Sequence, residues 1–320
     1  MLGQTGLAVS CVGIGALPIG PGQLNLPLEE GSAVICDALR RGISFIDTAQ
    51  YYRTYPYIRH ALEVMGFVTE ENICGAATLS AEKNPYDADL PVISSKSLAS
   101  SYDDMMAAIE ECRDALGLKT IDIFLMHEVR SGQFAGLVRA IGISTHHVDV
   151  ARAMADVSAC DVVFALLNYR GMGIRCGQEA GTKEDMVAAL TVCKAAGKGI
   201  YTMKALGGGN LTADYQKALD YVFSQDCVDA VMLGFTNTSE IDDMMRYLSG
   251  KMESSYNPDV SRKKMYVNQE DCEGCGTCLK ICAAGAVHYN KNGLAEIDQS
   301  KCLTCGYCAQ GCPVRAIIMY

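Results

Sequence analysis

Eight cysteines fall in the last fifty residues as two runs with one spacing, Cys272-x-x-Cys275-x-x-Cys278-x-x-x-Cys282 and Cys302-x-x-Cys305-x-x-Cys308-x-x-x-Cys312, the second followed by Pro313. Four thiolates at this spacing can converge on a cubane, so two runs predict two 4Fe-4S clusters. Paired zinc ribbons would show widely separated ligand pairs instead of four-cysteine runs, and a disulfide framework belongs to small secreted chains. Clusters of this kind accept and release single electrons. The chemistry to expect is therefore redox.

The two runs are halves of an internal repeat. Every cysteine of the first recurs thirty positions later in the second, as do Gly276 at Gly306, Ala286 at Ala316 and Val267 at Ile297. A duplicated half-module with a pseudo-twofold axis follows, burying Val267, Ile281 and Val287 from one half and Ile297, Ile317 and Ile318 from the other. Residues 264 to 320 resemble the bacterial two-cluster ferredoxins, an α+β fold. In that arrangement each cluster takes three ligands from one run and the fourth from the other. The resemblance implies the sets Cys272, Cys275, Cys278, Cys312 and Cys302, Cys305, Cys308, Cys282.

Ahead of this tail lie about 250 residues, the usual size of one eight-stranded α/β barrel. At 49% hydrophobic content the chain can bury a full core, and its net charge of −10 argues against nucleic acid or an anionic membrane as partner. No basic stretch precedes an apolar run at the N-terminus, and no apolar run is long enough to span a bilayer. The expectation is a cytoplasmic protein without membrane insertion. The remaining cysteines (11, 36, 74, 112, 160, 176, 193, 227) are scattered singly and read as reduced core thiols, with Cys176 in a polar, glycine-bearing segment set apart.

Strand-like runs alternate with amphipathic stretches over residues 9 to 249, which favours a parallel sheet with helices outside it. Strands are predicted at VSCVGIG, ISFIDTA, NICGAAT, TIDIFLMH, RAIGIST, DVVFALL, GIYTMKA and DAVMLGF, and eight suggest a closed (β/α)8 barrel. Helices are predicted at 28–41, 56–65, 97–116, 146–156, 183–196, 214–225 and 238–249, with Thr182 and Thr238 as caps. Between His127 and Ala140 there is room for a helical turn at most. The predicted domains are a barrel over 1–250, a polar linker over 251–263 and the cluster domain over 264–320. In such a barrel chemistry sits at the carboxyl ends of the strands. Asp47 ends the second strand, Tyr52 follows in its loop and His127 ends the fourth. Each alone could be a turn cap, a surface phenol or a satisfied imidazole; together they read as an acid catalyst with support.

LGQTGLAVSCVGIGALPIG, FIDTAQYY, IDIFLMH, RAIGIST and IYTMKALGGG resemble the aldo/keto reductase family over about residues 1 to 249. The whole chain looks like the branch of that family fused to a ferredoxin domain. The resemblance implies Tyr52 as the acid that protonates a carbonyl oxygen, Asp47 as its polariser and His127 as the group that orients the carbonyl. The family's lysine closes the third strand, where ICGAATLS puts Thr78 and Leu79, so this chain is expected to lack it, with Lys204 a candidate substitute. For a nicotinamide cofactor, Ser144, Asn168 and Met203 fall at the ring positions. Gly208 in the GGGN run and Thr236 are expected at the phosphates, after strands seven and eight. The acidic TNTSEIDDM segment favours NADH over NADPH.

Two functions remain open on this sequence. The first is an oxidoreductase that reduces a carbonyl or related small molecule, with electrons from the two clusters, a nicotinamide cofactor or both, and a redox protein as partner. The second is a catalytically degenerate barrel that serves as scaffold in a larger redox complex.

Overall fold

In the computed structural model, residues 1–68, 90–99, 101–126, 137–177, 179–259, 263–304, 306–314 and 316–319 are described. Eight parallel strands close a barrel in chain order: β1 (Val12–Gly15), β2 (Phe45–Asp47), β3 (Val92–Ser97), β4 (Ile121–Met126), β5 (Val138–Thr145), β6 (Val162–Leu166), β7 (Gly199–Met203) and β8 (Ala230–Gly234). Around it run α1 (Leu28–Arg40), α2 (Tyr55–Val64), α3 (Tyr102–Leu116), α4 (Val148–Ala153), α5 (Lys183–Ala195), α6 (Tyr215–Phe223) and α7 (Thr238–Leu248).

Strand alternation sorts the side chains into two cores. Phe45, Val92, Ile123, Leu125, Val162, Phe164, Tyr201 and Met232 fill the barrel together with Leu2 and Leu7, which the N-terminal turn brings to one end. There, Leu2 N–H donates to Leu7 and Gln4 N–H to the carbonyl of Gly197. Residues between these inner positions, such as Ile14, Ile46, Ile93 and Val163, face the helices. Tyr201 stacks on Phe164 with centroids 4.3 Å apart and packs against Phe45 at 5.0 Å, which makes a rigid aromatic floor.

Seven of the eight strands lie where the sequence predicts them. The third does not: β3 is Val92–Ser97, and residues 72–78 lie outside the described residues. All six residues of β3 are buried although four of them are polar, because each polar one has a partner: Ser94 meets Tyr201, Ser95 meets Tyr55, Lys96 meets Asp47 and Ser97 meets Gln50. The helices match to within a few residues. Thr182 caps α5 as expected, accepting from Asp185 N–H, but α7 is capped by Asn237, with Thr238 its first residue. The caps place each side-chain oxygen on an orphan N–H of the first turn. The connection after His127 falls largely outside the described residues; β4 and β5 are direct neighbours.

The tail repeats itself in three dimensions. Met265–Val267 pairs antiparallel with Ile317–Met319, and its counterpart Ala295–Ile297 pairs with Val287–Tyr289. Each ladder thus joins equivalent strands of the repeat in opposite order, the interlock a pseudo-twofold axis requires. Gly276 and Gly306 both adopt a left-handed conformation, φ 73° and 75°, immediately before helices α8 (Thr277–Ile281) and α9 (Tyr307–Gln310). Val267, Val287, Ile297, Ile317 and Ile318 are buried as predicted. Ile281 is exposed, because α8 turns Cys278 inward and leaves its last residue on the surface. Among the described residues no helix is long and apolar enough to cross a membrane.

Candidate active site

The aromatic floor carries a polar layer at the carboxyl end of the barrel. Asp47, last in β2, is in register with Ser94 of β3, and Lys96 stands one inner position further along. Lys96 Nζ donates to Asp47 Oδ2 at 2.7 Å and to the carbonyl of Thr48 at 2.9 Å. Both side chains are nearly closed to solvent, 10% and 5% exposed. Beneath them Ser94 Oγ lies 2.9 Å from Tyr201 Oη. The expected loss of the family lysine is therefore wrong: Lys96 occupies the third strand once that strand is correctly placed.

Tyr52 lies in a single 3-10 turn, Gln50–Tyr52, that directly follows β2. Ser97 of β3 fixes that turn by donating to Gln50 Oε1 at 2.7 Å. Lys96 Nζ sits 5.1 Å from the centre of the Tyr52 ring and 5.2 Å from that of Phe164. Tyr51 meets Tyr52 edge to face at 4.6 Å. Burial pushes the Tyr52 phenol well above its ordinary range, and Tyr51, Asp47 and Asp271 push in the same direction. Burial likewise raises the Asp47 carboxyl, opposed by the charge and hydrogen bond of Lys96. Asp47 Oδ1 is buried without a hydrogen bond of normal geometry among the described residues, although Ser94 lies close enough to lower the carboxyl. His127, expected in the same group, lies outside the described residues.

Over this mouth lies the start of the first cysteine run. Lys204, just past β7, adopts φ 58°, a left-handed conformation unusual for a residue with a Cβ. It is held there by Asp271, whose Oδ2 is 3.0 Å from Lys204 Nζ and 3.0 Å from Asn268 Nδ2. Asp271 is half-buried, which raises its carboxyl, but the charges of Lys204 and His146 and these hydrogen bonds outweigh that and leave it below the usual range. Lys204 is thus engaged with the tail and does not replace a missing cation at Tyr52. Arg175 reaches Glu273 at 4.0 Å from a short ribbon, Arg175–Cys176 paired with Glu179–Ala180.

The residues expected at a nicotinamide site make the following contacts. Asn168 is fully buried, donates to the carbonyl of Met172 at 3.0 Å and accepts from Met172 N–H at 2.9 Å, so both ends of its amide clasp a turn. Ser144 is half-buried beside Phe164, and Met203 packs against both cores. Gly208 lies against the C-terminal strand. Its carbonyl accepts from Met319 N–H at 2.6 Å, and a Cβ there would lie 2.6 Å from Ile318. Thr236 gives both its N–H and its hydroxyl to Glu240 Oε2, at 2.6 and 2.9 Å.

In the tail the described cysteines form two groups. Burial raises the thiols of Cys278 and Cys308; Cys312 and Cys272 lie near the first, and Cys282 and Cys302, then Cys278, lie near the second. The second group lines a cavity with Met265, Val287 and Ile297. N–H groups aim at sulfur in both: Ala295 at Cys272 Sγ (3.4 Å), Ala286 at Cys282 Sγ (3.3 Å) and Thr304 at Cys302 Sγ (3.4 Å). Such donors stabilise thiolates. Cys275 is exposed, and Cys305 lies outside the described residues. Among the described residues no three Cys, His, Asp or Glu side chains could hold a single metal ion. A cubane spreads its thiolates wider than one ion does. In the barrel, burial pushes the thiols of Cys112 and Cys160 up to about 11, as inert core residues require, while Cys11 and Cys176 are exposed.

Comparison with known proteins agrees with both halves. The profile of the Aldo/keto reductase family matches residues 11–218, and that of the 4Fe-4S dicluster domain matches residues 264–313. L-galactose dehydrogenase of Arabidopsis thaliana is 24% identical over 234 residues, 66% of each chain. The ion-translocating oxidoreductase complex of Methanosarcina acetivorans contains a protein that is 52% identical over 46 residues, 14% of this chain and 17% of that one. The match thus spans about a sixth of that protein. A Pseudomonas aeruginosa structure assigned to the aldo-keto reductases superposes with a TM-score of 0.58 at 21% identity, covering 79% of this chain and 94% of its own, a likeness of fold.

Proposed function

Because the chain belongs to the aldo/keto reductase family and carries a 4Fe-4S dicluster domain, we propose that it is an oxidoreductase that reduces the carbonyl of a small molecule at Tyr52. The electrons would come from the cluster domain. The observation that carries the reading is the buried Asp47–Lys96 pair set against the ring of Tyr52, with the residue preceding Cys272 bound to Lys204 across the same mouth.

The net change adds two electrons, one from each cluster, and two protons to a C=O group, the proton on oxygen coming from Tyr52 and the one on carbon from solvent. A phenol held as tightly protonated as Tyr52 does not protonate a ground-state carbonyl. It gives up its proton only when negative charge builds on the oxygen, and Lys96 then offsets the charge left on the phenolate. Asp47 holds Lys96 in place, and the Ser94–Tyr201 contact supports that layer from below. His127 is assigned to orienting the carbonyl. Cys272, Cys275, Cys278 and Cys312 would hold one cluster, and Cys282, Cys302, Cys305 and Cys308 the other. Bound there, the clusters supply electrons one at a time.

Of the two electron sources left open by the sequence, the contacts of Gly208 and Thr236 favour the clusters over a nicotinamide nucleotide. Reloading them calls for a redox protein as partner, and the Methanosarcina relative of the tail belongs to an oxidoreductase complex. A reducing compartment, the cytoplasm, suits the cluster thiols. The scaffold reading loses its main support with the finding of Lys96. The test is Tyr52→Phe in anaerobically loaded protein reduced with dithionite. Turnover of small aldehydes and ketones should fall by a factor of about 100 or more while the cluster absorbance is unchanged. Equal turnover in the two proteins would end the proposal.

A further inference from the structure

Family membership implies a nicotinamide dinucleotide, yet the residues at its phosphate end do not fit one. We infer that this barrel binds no such cofactor, because the chain's own C-terminal strand and the cap of α7 stand where the phosphates would rest. In barrels of this type phosphates lie on the loops after strands seven and eight, against free backbone N–H groups. Both loops are occupied here.

After β7, Gly207, Gly208 and Gly209 all have positive φ, and absence of side chains lets another backbone approach. The backbone that does so is Ile317–Met319. Met319 N–H binds the carbonyl of Gly208, and Asn210 Nδ2 donates to the carbonyl of Ile317 at 3.2 Å. A Cβ on Gly209 would lie 2.5 Å from the carbonyl oxygen of Met319. The glycine run therefore serves strand docking at van der Waals distance, with no gap for a pyrophosphate.

After β8, the donors are consumed by a carboxylate. Glu240 takes the N–H and hydroxyl of Thr236, Asn237 takes the N–H of Glu240 at 3.1 Å, and Lys263 closes on Glu240 from the linker. The anion that a helix start attracts is thus supplied by the chain itself. Charge points the same way. Among the described residues, Lys96, Lys204, Arg175 and Lys263 face Asp47, Asp271, Glu273 and Glu240. A phosphate arriving here would displace a carboxylate before it gained a cation. The same matching favours uncharged carbonyl substrates over phosphorylated ones.

The inference concerns binding, so it can fail while the role of Tyr52 stands, and the reverse. NADH and NADPH are titrated calorimetrically into cluster-loaded protein whose absorbance shows both clusters present. No saturable binding is expected up to about 1 mM of either; saturable binding of either below that concentration overturns the inference. Hydrogen exchange reads the docking independently of any ligand. The Met319 amide should exchange about a hundredfold slower than in a free chain, and Gly208→Ala should speed it at least about tenfold by pushing on Ile318. A Met319 amide exchanging at the free-chain rate, or one that Gly208→Ala leaves unchanged, removes the strand from the site and the inference with it.

Discussion

Lys204 Nζ lies 3.0 Å from Asp271 Oδ2, so the end of β7 and the residue before the first cysteine of the tail are joined by charge. The pair is mostly shielded, 19% and 27% exposed, and Asn268 completes the hydrogen bonding of the same oxygen. It holds the tail over the barrel mouth and brings Asp271 close enough to act on Tyr52. Lys204→Met should weaken that docking by about 1 kcal/mol, seen as faster proteolytic cutting within residues 251–264. Lys204→Arg should restore protection, and the cluster absorbance should not change. Equal cutting of Lys204→Met and the parent would mean the pair contributes nothing to docking.

Lys96 and Asp47 form a buried pair in which neither charge has another full counter-charge in the described contacts. Removing one partner of such a pair typically costs about 3–5 kcal/mol, since the other is left charged in a dry site. Lys96→Met should lose stability in urea by about that amount and lower turnover by a factor of about 100 to 10,000. Adding Asp47→Asn should recover much of the stability and none of the turnover. A single variant as stable as the parent would show that the ion pair is not formed.

The third strand, β3, is the element whose sequence least resembles its structural role. An apolar run at 72–78 reads as a strand by hydrophobicity, but it leaves residues 79–96 as a long unstructured stretch before α3, against the usual economy of connections. The true strand, VISSKS, begins after Pro91, which punctuates it, and its polarity hides it because inner positions near a site are chosen for chemistry and not for burial. Lys96 sits among serines in that strand, so no local hydrophobic pattern marks it as an inner residue. The glycine run reads correctly as a place of close backbone approach, and the backbone that approaches it is a strand, Ile317–Met319. Nothing in local sequence says that a strand more than a hundred residues later will arrive there. The cysteines and the repeat are legible because ligand spacing is local chemistry. Docking of the tail depends on scattered contacts, such as Lys204 with Asp271, that have no motif.

The grouping of cysteines across the repeat makes a spectroscopic prediction. Cys282 shares its surroundings with Cys302 and Cys308, although it belongs to the other run. Cys282→Ala and Cys302→Ala should therefore damage one centre, and Cys278→Ala and Cys312→Ala the other. Each variant should lose about four of eight irons, and low-temperature EPR of the reduced proteins should sort them into those two pairs. If Cys282→Ala gave the spectrum of Cys278→Ala, ligands would come from within one run and the crossed sets would be wrong.

Burial, with Tyr51, Asp47 and Asp271 nearby, holds the Tyr52 proton more tightly than in a free phenol, whose pKa is about 10. A group whose folded pKa lies above its unfolded value favours the folded state below the unfolded pKa. That contribution is lost as pH rises toward the folded value, so the window opens near pH 10 and extends upward. Tyr52 should stay neutral throughout the range in which the protein works, ready to donate and never limiting by ionisation. Tyrosinate absorbance of the parent and of Tyr52→Phe, titrated side by side to about pH 10.5, should coincide. A step of one phenol in the parent below about pH 9, missing from Tyr52→Phe, would place the charge of Lys96 above all the opposing influences. The acid would then be an activated phenol and not one that waits for charge on its substrate.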